Sequence, residues 1–128
     1  MRNKFIIIIL ICFLVIGSLL FFTPISINDE PVEVKFLFMA YACGDCYPQY
    51  RIETIEPIDS SLNEFLKKEV RIVFSSSAQE KMVNEKASGC MICSEFFFTG
   101  YLKKSFYRGL FFKVEKAKVH VYESCCSN

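Results

Sequence analysis

Seven cysteines occur in the chain, and six of them fall into three close pairs. The pairs are Cys43 with Cys46, Cys90 with Cys93, and Cys125 with Cys126. In the first two pairs, two residues separate the cysteines, a spacing that serves redox-active thiols, structural disulfides and tetrathiolate zinc sites alike. The same residues therefore allow three different chemistries, and the elements around them must decide between these.

An uncharged apolar segment near the N-terminus, residues 5–22, predicts a transmembrane helix. As a helix with a rise of ~1.5 Å per residue, it spans about 27 Å, which is close to the thickness of a bilayer core. Arg2 and Lys4 precede this segment, and acidic residues follow it. The positive-inside rule then places the N-terminus in the cytoplasm and the rest of the chain outside.

Bulky residues fill the end of this segment, where cleavage of a signal peptide would require small ones. The segment is also longer than the ~7–15 residues of a signal-peptide core. We therefore predict that residues 1–23 are a retained signal anchor and that the protein crosses the membrane once. The alternative is a cleaved signal peptide, which would leave a secreted or periplasmic protein. Cys12 lies inside the apolar segment and is interpreted as a membrane cysteine that takes no part in the pairs.

The charge of the chain does not favour nucleic acid as a partner. Lysine and arginine number 15 and aspartate and glutamate 14, for a net charge of +1, so no global basic field is present. Acidic residues predominate over residues 28–64 and basic residues over residues 101–119. We interpret both regions as solvated faces, and the alternative for the basic region is a surface that faces lipid headgroups or an acidic partner.

The rest of the chain predicts five strands and one short helix behind a polar linker at residues 24–33. Alternating apolar and polar residues, rich in β-branched and aromatic types, indicate the strands. The predicted strands cover residues 34–42, 47–58, 69–75, 95–104 and 109–122. Between the third and fourth strands, Ser77 followed by Glu80 predicts a capping box at the start of a helix, and Gly89 marks its end.

This β-β-β-α-β-β order, with the closing run TGYLKKSFYRGLFFKVEKAKV, resembles an OB-fold, a five-stranded Greek-key barrel with one helix between strands three and four. The resemblance covers residues 34–122 and leaves residues 123–128 as a cysteine-containing tail. It implies a mainly β, OB-like barrel preceded by the transmembrane helix. It also implies that strand one ends, strand two begins, strand four begins and strand five ends at one pole, where all six paired cysteines would gather.

An even number of cysteines in a small exported domain usually forms structural disulfides. Six cysteines allow 15 pairings, and the sequence leaves the connectivity open. We therefore predict a membrane-anchored, extracytoplasmic binding or structural module that is stabilised by cysteine pairs, carries no cofactor and has no catalytic residues. Its ligand or protein partner is not specified by the sequence.

Zinc is one alternative for these cysteines. The four thiolates of Cys43, Cys46, Cys90 and Cys93 could hold a tetrahedral ion, because the spacing within each pair lets both sulfurs reach the same metal. In this hypothesis the module would be stabilised by zinc instead of by disulfides.

A thiol–disulfide oxidoreductase that uses Cys43 and Cys46 is the other alternative. Residues 35–46, an apolar strand that runs into the first cysteine pair, resemble the start of a thioredoxin-like domain. The resemblance implies that a following helix lowers the pKa of the first thiol. In this chain Pro48 and the alternation that begins at Tyr50 favour a strand at that place.

A Ser/His/Asp hydrolase site is not indicated. His120 is the single histidine and stands in a predicted strand, and the chain has no nucleophile-elbow motif.

Overall fold

The computed structural model describes residues 1–39, 50–58 and 60–126. Within these ranges the helices are α1 (Arg2–Phe22), α2 (Ser77–Lys86) and α3 (Glu123–Cys126). The strands in the same ranges are β1 (Ile25–Ser26), β2 (Val32–Phe38), β3 (Tyr50–Glu56), β4 (Glu69–Phe74), β5 (Ser94–Ser105) and β6 (Gly109–Val121). Single 3₁₀ turns occupy Asn63–Phe65 and Met91–Cys93. The mainly β class with an N-terminal apolar helix is confirmed.

The first helix, α1, is long and apolar enough to cross a membrane. It has 21 residues and a mean hydropathy of 3.3 in its most apolar window, and none of that window is buried inside the structure. A helix with apolar side chains on every face is stable in a lipid environment, because no face has to meet water. The helix predicted over residues 5–22 is therefore confirmed.

The strands pair in the order β1-β5-β2-β3-β4-β6, and β5 also pairs with β6. Starting from β5, the pairings run through β2, β3, β4 and β6 and return to β5. The β4–β6 pair is parallel, and the other pairs are antiparallel. The two longest strands, β5 and β6, form a hairpin, as the alternation over the closing run predicts.

A close backbone approach bends this hairpin at Gly100. The register between β5 and β6 shifts between Thr99 and Gly100. A Cβ atom added at Gly100 would run into the backbone carbonyl of Lys113, which leaves no room for a larger residue. Shifts of this kind increase strand bending and twist, which a strongly curved sheet requires.

Large aromatic side chains fill the core between the strands. Every second residue of β5 from Ser94 to Leu102 is buried, as expected for a strand with one face on the core. The largest fully buried side chains are Phe36, Phe96, Phe98 and Phe112. Helix α2 packs against β4 and β6, and Val83 on the helix and Ala87 directly after it join the same core.

Helix α2 begins one residue before the predicted position. Ser76 is the N-cap residue, and its hydroxyl accepts a hydrogen bond of 3.2 Å from the backbone amide of Gln79. The predicted capping box of Ser77 and Glu80 is therefore wrong by one residue. Ser76 and Ser77 carry the same short hydroxyl acceptor. Only Ser76 has the extended backbone that directs its hydroxyl at the free amides of the first turn.

Replacing Ser76 with alanine is expected to lower the free energy of unfolding by about 0.5–2 kcal/mol, because the amide of Gln79 loses its acceptor. The matched control is Ser77→Ala, which removes the same group from the first helical residue and should change stability by a few tenths of a kcal/mol. Urea denaturation of the full chain in detergent micelles measures both. Equal losses in the two variants would contradict the assignment of Ser76 as the cap.

The segment predicted as a linker contains β1, which the sequence does not indicate. This two-residue strand pairs with Lys103 and Lys104 of β5. Immediately after it, the amide of Ile27 donates to the carbonyl of Leu102, and Oδ1 of Asn28 accepts from the amide of Leu102, each at 2.8 Å. Residues 25–28, between α1 and β2, are therefore held against β5.

Candidate functional site

Four strand ends meet at one end of the sheet, which we call the cysteine end. The residues paired there are Phe38 with Tyr50, Leu37 with Glu95, and Ser94 with Val121. The end of β2, the start of β3, the start of β5 and the end of β6 are thus adjacent. Residues 90–93 lead directly into β5, and residues 123–126 follow β6.

A disulfide between Cys93 and Cys125 joins the two strand ends that flank this region. The Cα atoms of the two cysteines are 5.9 Å apart, within the usual range for a disulfide. The bond lies beside a backbone hydrogen bond of 3.1 Å from the amide of Tyr122 to the carbonyl of Cys93. Cys90 is also disulfide-bonded. The cysteine end is therefore closed by covalent bonds as well as by strand pairing.

The structure describes only some of the remaining cysteines. Cys43 and Cys46 lie outside the described residues, and so does the side chain of Cys126. Cys12 is a free, exposed cysteine on α1. The oxidoreductase hypothesis, which depends on Cys43 and Cys46, therefore falls on residues that the structure does not describe.

The zinc hypothesis requires Cys93 as a thiolate. In the structure its sulfur is bonded to Cys125, and a disulfide sulfur has no thiolate to offer a metal. Within residues 1–39, 50–58 and 60–126, no group of three histidine, cysteine or acidic side chains is placed to hold an ion. Zinc binding through this set would first require reduction of the Cys93–Cys125 bond.

A second candidate site is a groove of about 780 Å³ beside the parallel pair β4–β6, which we call the arginine groove. Arg71 of β4 pairs with Phe111 of β6 at its floor. Tyr107 and Arg108 line it from the β5–β6 turn. Phe111 is only 3% exposed although it is not part of the main core cluster. The groove thus combines two guanidinium groups with aromatic walls.

The turn that carries Tyr107 and Arg108 is held by local interactions. The amide of Arg108 donates to the hydroxyl of Ser105 at 2.8 Å. Gly109 has a φ of +66°, a left-handed conformation that glycine adopts without strain. These two features close the turn after β5 and place both side chains at the rim of the groove.

A smaller cavity of about 290 Å³ continues the arginine groove toward the cysteine end. The two cavities share four lining residues, Arg71, Ile72, Phe74 and Glu80. Tyr50 lines the far part, where burial raises its pKa to about 12 and Glu80 adds to the effect. The phenol of Tyr50 therefore stays protonated and can donate a hydrogen bond to a bound group.

Glu80 lines both cavities because α2 is anchored over the strands next to it. The side-chain amide of Gln79 donates to the backbone carbonyl of Glu115 at 3.0 Å. The hydroxyl of Ser75, just before the helix, donates to the carbonyl of Val114. Both contacts join the start of α2 to β6, beside the cavities that Glu80 lines.

A third polar cluster lies on the outer face of β2, β5 and β6. Lys35 forms an ion pair with Glu95. The hydrogen bond from Lys35, helped by one from Tyr122, holds the pKa of Glu95 below its usual range. The ring of His120 packs edge-on against Tyr122 with 4.7 Å between centroids. His120 is exposed on β6, and its ring contacts Tyr122 directly after the strand. The cluster therefore joins β2, β5 and β6 on their outer face.

Sequence reasoning did not select the arginine groove. Arg108 lies in the basic region of residues 101–119 and Arg71 in the predicted strand of residues 69–75, and neither pattern indicates a groove. The motif Tyr107-Arg108-Gly109, which places an aromatic residue and a cation in a tight turn, could have indicated the groove.

Comparison with family models, with curated proteins and with solved structures found no match to the chain.

Proposed function

We propose that the protein is a membrane-anchored binding module for an acidic ligand, built on an OB-like five-stranded barrel. The ring of pairings β5-β2-β3-β4-β6-β5, with β4 and β6 parallel, supports the barrel. So does the position of α2 between β4 and β5. An OB-fold has the same five-strand order and places its helix between strands three and four. In this numbering, its strands one to five are β2 to β6.

We propose that α1 anchors the module in the membrane and that the barrel lies outside the cytoplasm. Arg2 and Lys4 at the start of α1 favour this orientation by the positive-inside rule. The Cys93–Cys125 disulfide also supports it, because disulfides persist in oxidising compartments and are rare in the cytosol. A cleaved form would be secreted or periplasmic with the same barrel.

The arginine groove is the observation that carries the binding function. OB-folds bind ligands on the face of strands two and three, between two flanking loops. Here that face belongs to β3 and β4, which contribute Tyr50 and Arg71, and the flanking β5–β6 turn contributes Arg108. The guanidinium of Arg108 and the protonated phenol of Tyr50 are hydrogen-bond donors, so they suit the oxygens of a phosphate or carboxylate.

Inorganic pyrophosphate is a suitable probe for this groove. In NMR spectra of the full chain in micelles, it should shift the amide signals of residues 71–74 and 107–111 before other signals. Arg108→Gln should weaken this binding by roughly tenfold or more, the effect of losing one charge-assisted hydrogen bond. The control is Lys116→Gln, which removes the same charge from an exposed residue of β6 that does not line the groove. Equal weakening in both variants, or shifts spread over the whole basic segment, would contradict a specific site.

A further inference from the structure

Two large aromatic side chains project from the β5–β6 turn beside the last residues of α1. We call residues 105–109 the hairpin tip. Phe106 is 81% exposed and Tyr107 69% exposed. Their rings contact the helix end, with centroids 4.6 Å apart for Phe106 and Phe21 and 5.5 Å apart for Tyr107 and Phe22. Because Phe21 and Phe22 end the membrane helix, these exposed rings lie level with the end of the apolar segment.

The covalent path between α1 and the barrel is too short to move the hairpin tip away. Only Thr23 and Pro24 separate α1 from β1. The first residue of β1, Ile25, pairs with Lys104, directly before the tip. Three residue steps join Phe22 to Ile25, so their Cα atoms lie no more than about 11 Å apart. Whichever side of the bilayer α1 leaves, the hairpin tip therefore lies at that surface.

An apolar cleft continues from the tip toward the end of α1. It measures about 370 Å³ and is lined by Leu20, Ile25, Ile27 and Phe106 among others. Ile25 is 73% exposed, so the side of the barrel next to the tip also presents an uncovered apolar surface. A lipid interface covers such a surface, since its acyl boundary accepts apolar side chains.

The charges around the tip complement an anionic surface. Residues 101–114 contain four basic residues and no acidic residue. Lys104 and Arg108 are exposed on either side of the two aromatic rings, and Lys103 is half-buried next to them. Tyrosine is enriched at the membrane–water interface, where its ring lies among the headgroups. Each cation near an anionic leaflet strengthens attachment roughly fivefold.

We propose that the hairpin tip docks on anionic phospholipid headgroups of the membrane that α1 spans. Phe106 and Tyr107 lie at headgroup depth, and Lys104 and Arg108 contact the phosphates. The proposal rests on the proposed function in one respect, that α1 stays in the membrane as an anchor. Its consequence is an orientation: the arginine groove, which shares Tyr107 and Arg108 with the tip, opens at the lipid surface. The acidic ligand of the groove would then bind at the membrane surface.

Phe106→Trp tests this contact directly, because the chain contains no tryptophan. The full-length variant is reconstituted into vesicles of phosphatidylcholine alone or with phosphatidylglycerol, and its fluorescence is quenched with brominated lipids or with aqueous acrylamide. We expect a blue-shifted emission, strong quenching by brominated lipid and weak quenching by acrylamide in the anionic vesicles. Adding Lys104→Gln and Arg108→Gln to the same chain should return the indole to acrylamide.

The matched control is Ile92→Trp, which places the probe on a residue that is 72% exposed at the cysteine end. It should be quenched by acrylamide in both vesicle types. Tyr107→Trp serves as a second reporter if the first variant folds poorly. Protein that sediments with the vesicles but exposes the indole at position 106 to water would overturn the docking of the tip. Equal protection in both vesicle types would overturn the role of the cations. Protein that no longer sediments with vesicles would instead contradict the anchor, and with it the proposed function.

Discussion

The Cys93→Ala/Cys125→Ala double variant is expected to lose about 3–4 kcal/mol of unfolding free energy. The bond closes a loop of 32 residues. A disulfide across a loop of this size lowers the conformational entropy of the unfolded chain, which stabilises the folded protein by this amount. Changing both cysteines together avoids a leftover thiol that could exchange with the disulfide at Cys90. Urea denaturation of the full chain in micelles, followed by circular dichroism, measures the difference.

Cys12→Ala is the control for this variant, because Cys12 is a free cysteine on α1 and its loss should leave the unfolding curve of the barrel unchanged. Peptide mapping of the wild-type protein, purified without reductant, should recover a Cys93–Cys125 linkage and a second linkage that contains Cys90. Free thiols at Cys93 and Cys125 in this protein would contradict the disulfide and reopen the hypothesis that the cysteines bind zinc.

The second large effect is expected at Phe98. Phe98→Ala should lower the free energy of unfolding by about 3–5 kcal/mol, because it leaves a cavity in the centre of the aromatic core. The ring of Phe98 is fully buried and lies 5.5 Å from Phe36, 5.6 Å from Phe74 and 6.1 Å from Tyr50 between centroids. The same denaturation experiment measures the loss, and Phe98→Leu, a smaller truncation, provides a folded variant if alanine is not tolerated.

Phe97→Ala is the matched control for the core variant. Phe97 is the next residue of β5 and lies on the opposite, outer face, half-buried near Lys35. Its removal should cost no more than about 1 kcal/mol. Similar losses at Phe97 and Phe98 would contradict the assignment of the two faces of β5. The Phe98→Ala variant also tests whether the core supports the arginine groove, because Phe74 lines the groove and packs on Phe98.

Elements with a regular pattern could be predicted from the sequence to within one or two residues. The predicted fourth and fifth strands, residues 95–104 and 109–122, correspond to β5 and β6 because a strand with one buried face must alternate. Helix α1 was equally clear, since an apolar run of its length has no other common structure. In both cases the signal lies within one element and needs no knowledge of its neighbours.

Elements that depend on a neighbour could not be predicted. Strand β1 has two residues and no periodicity, and it exists because β5 offers Lys103 and Lys104 as pairing partners. The cap of α2 was misplaced by one residue because Ser76 and Ser77 carry the same hydroxyl. The arginine groove joins Arg71 and Arg108, which are far apart in the chain and meet through the parallel pairing of β4 with β6.

The cysteine pairs show the same division. By themselves, the residues determined a mainly β domain behind an apolar helix long enough to cross a membrane, and they limited the cysteines to disulfides, zinc or redox chemistry. They did not determine which cysteine meets which, because a disulfide requires Cα atoms within about 7 Å and sequence distance says nothing about that separation. The pairing of Ser94 with Val121 brings Cys93 and Cys125 to 5.9 Å, so the tertiary structure alone decided that bond.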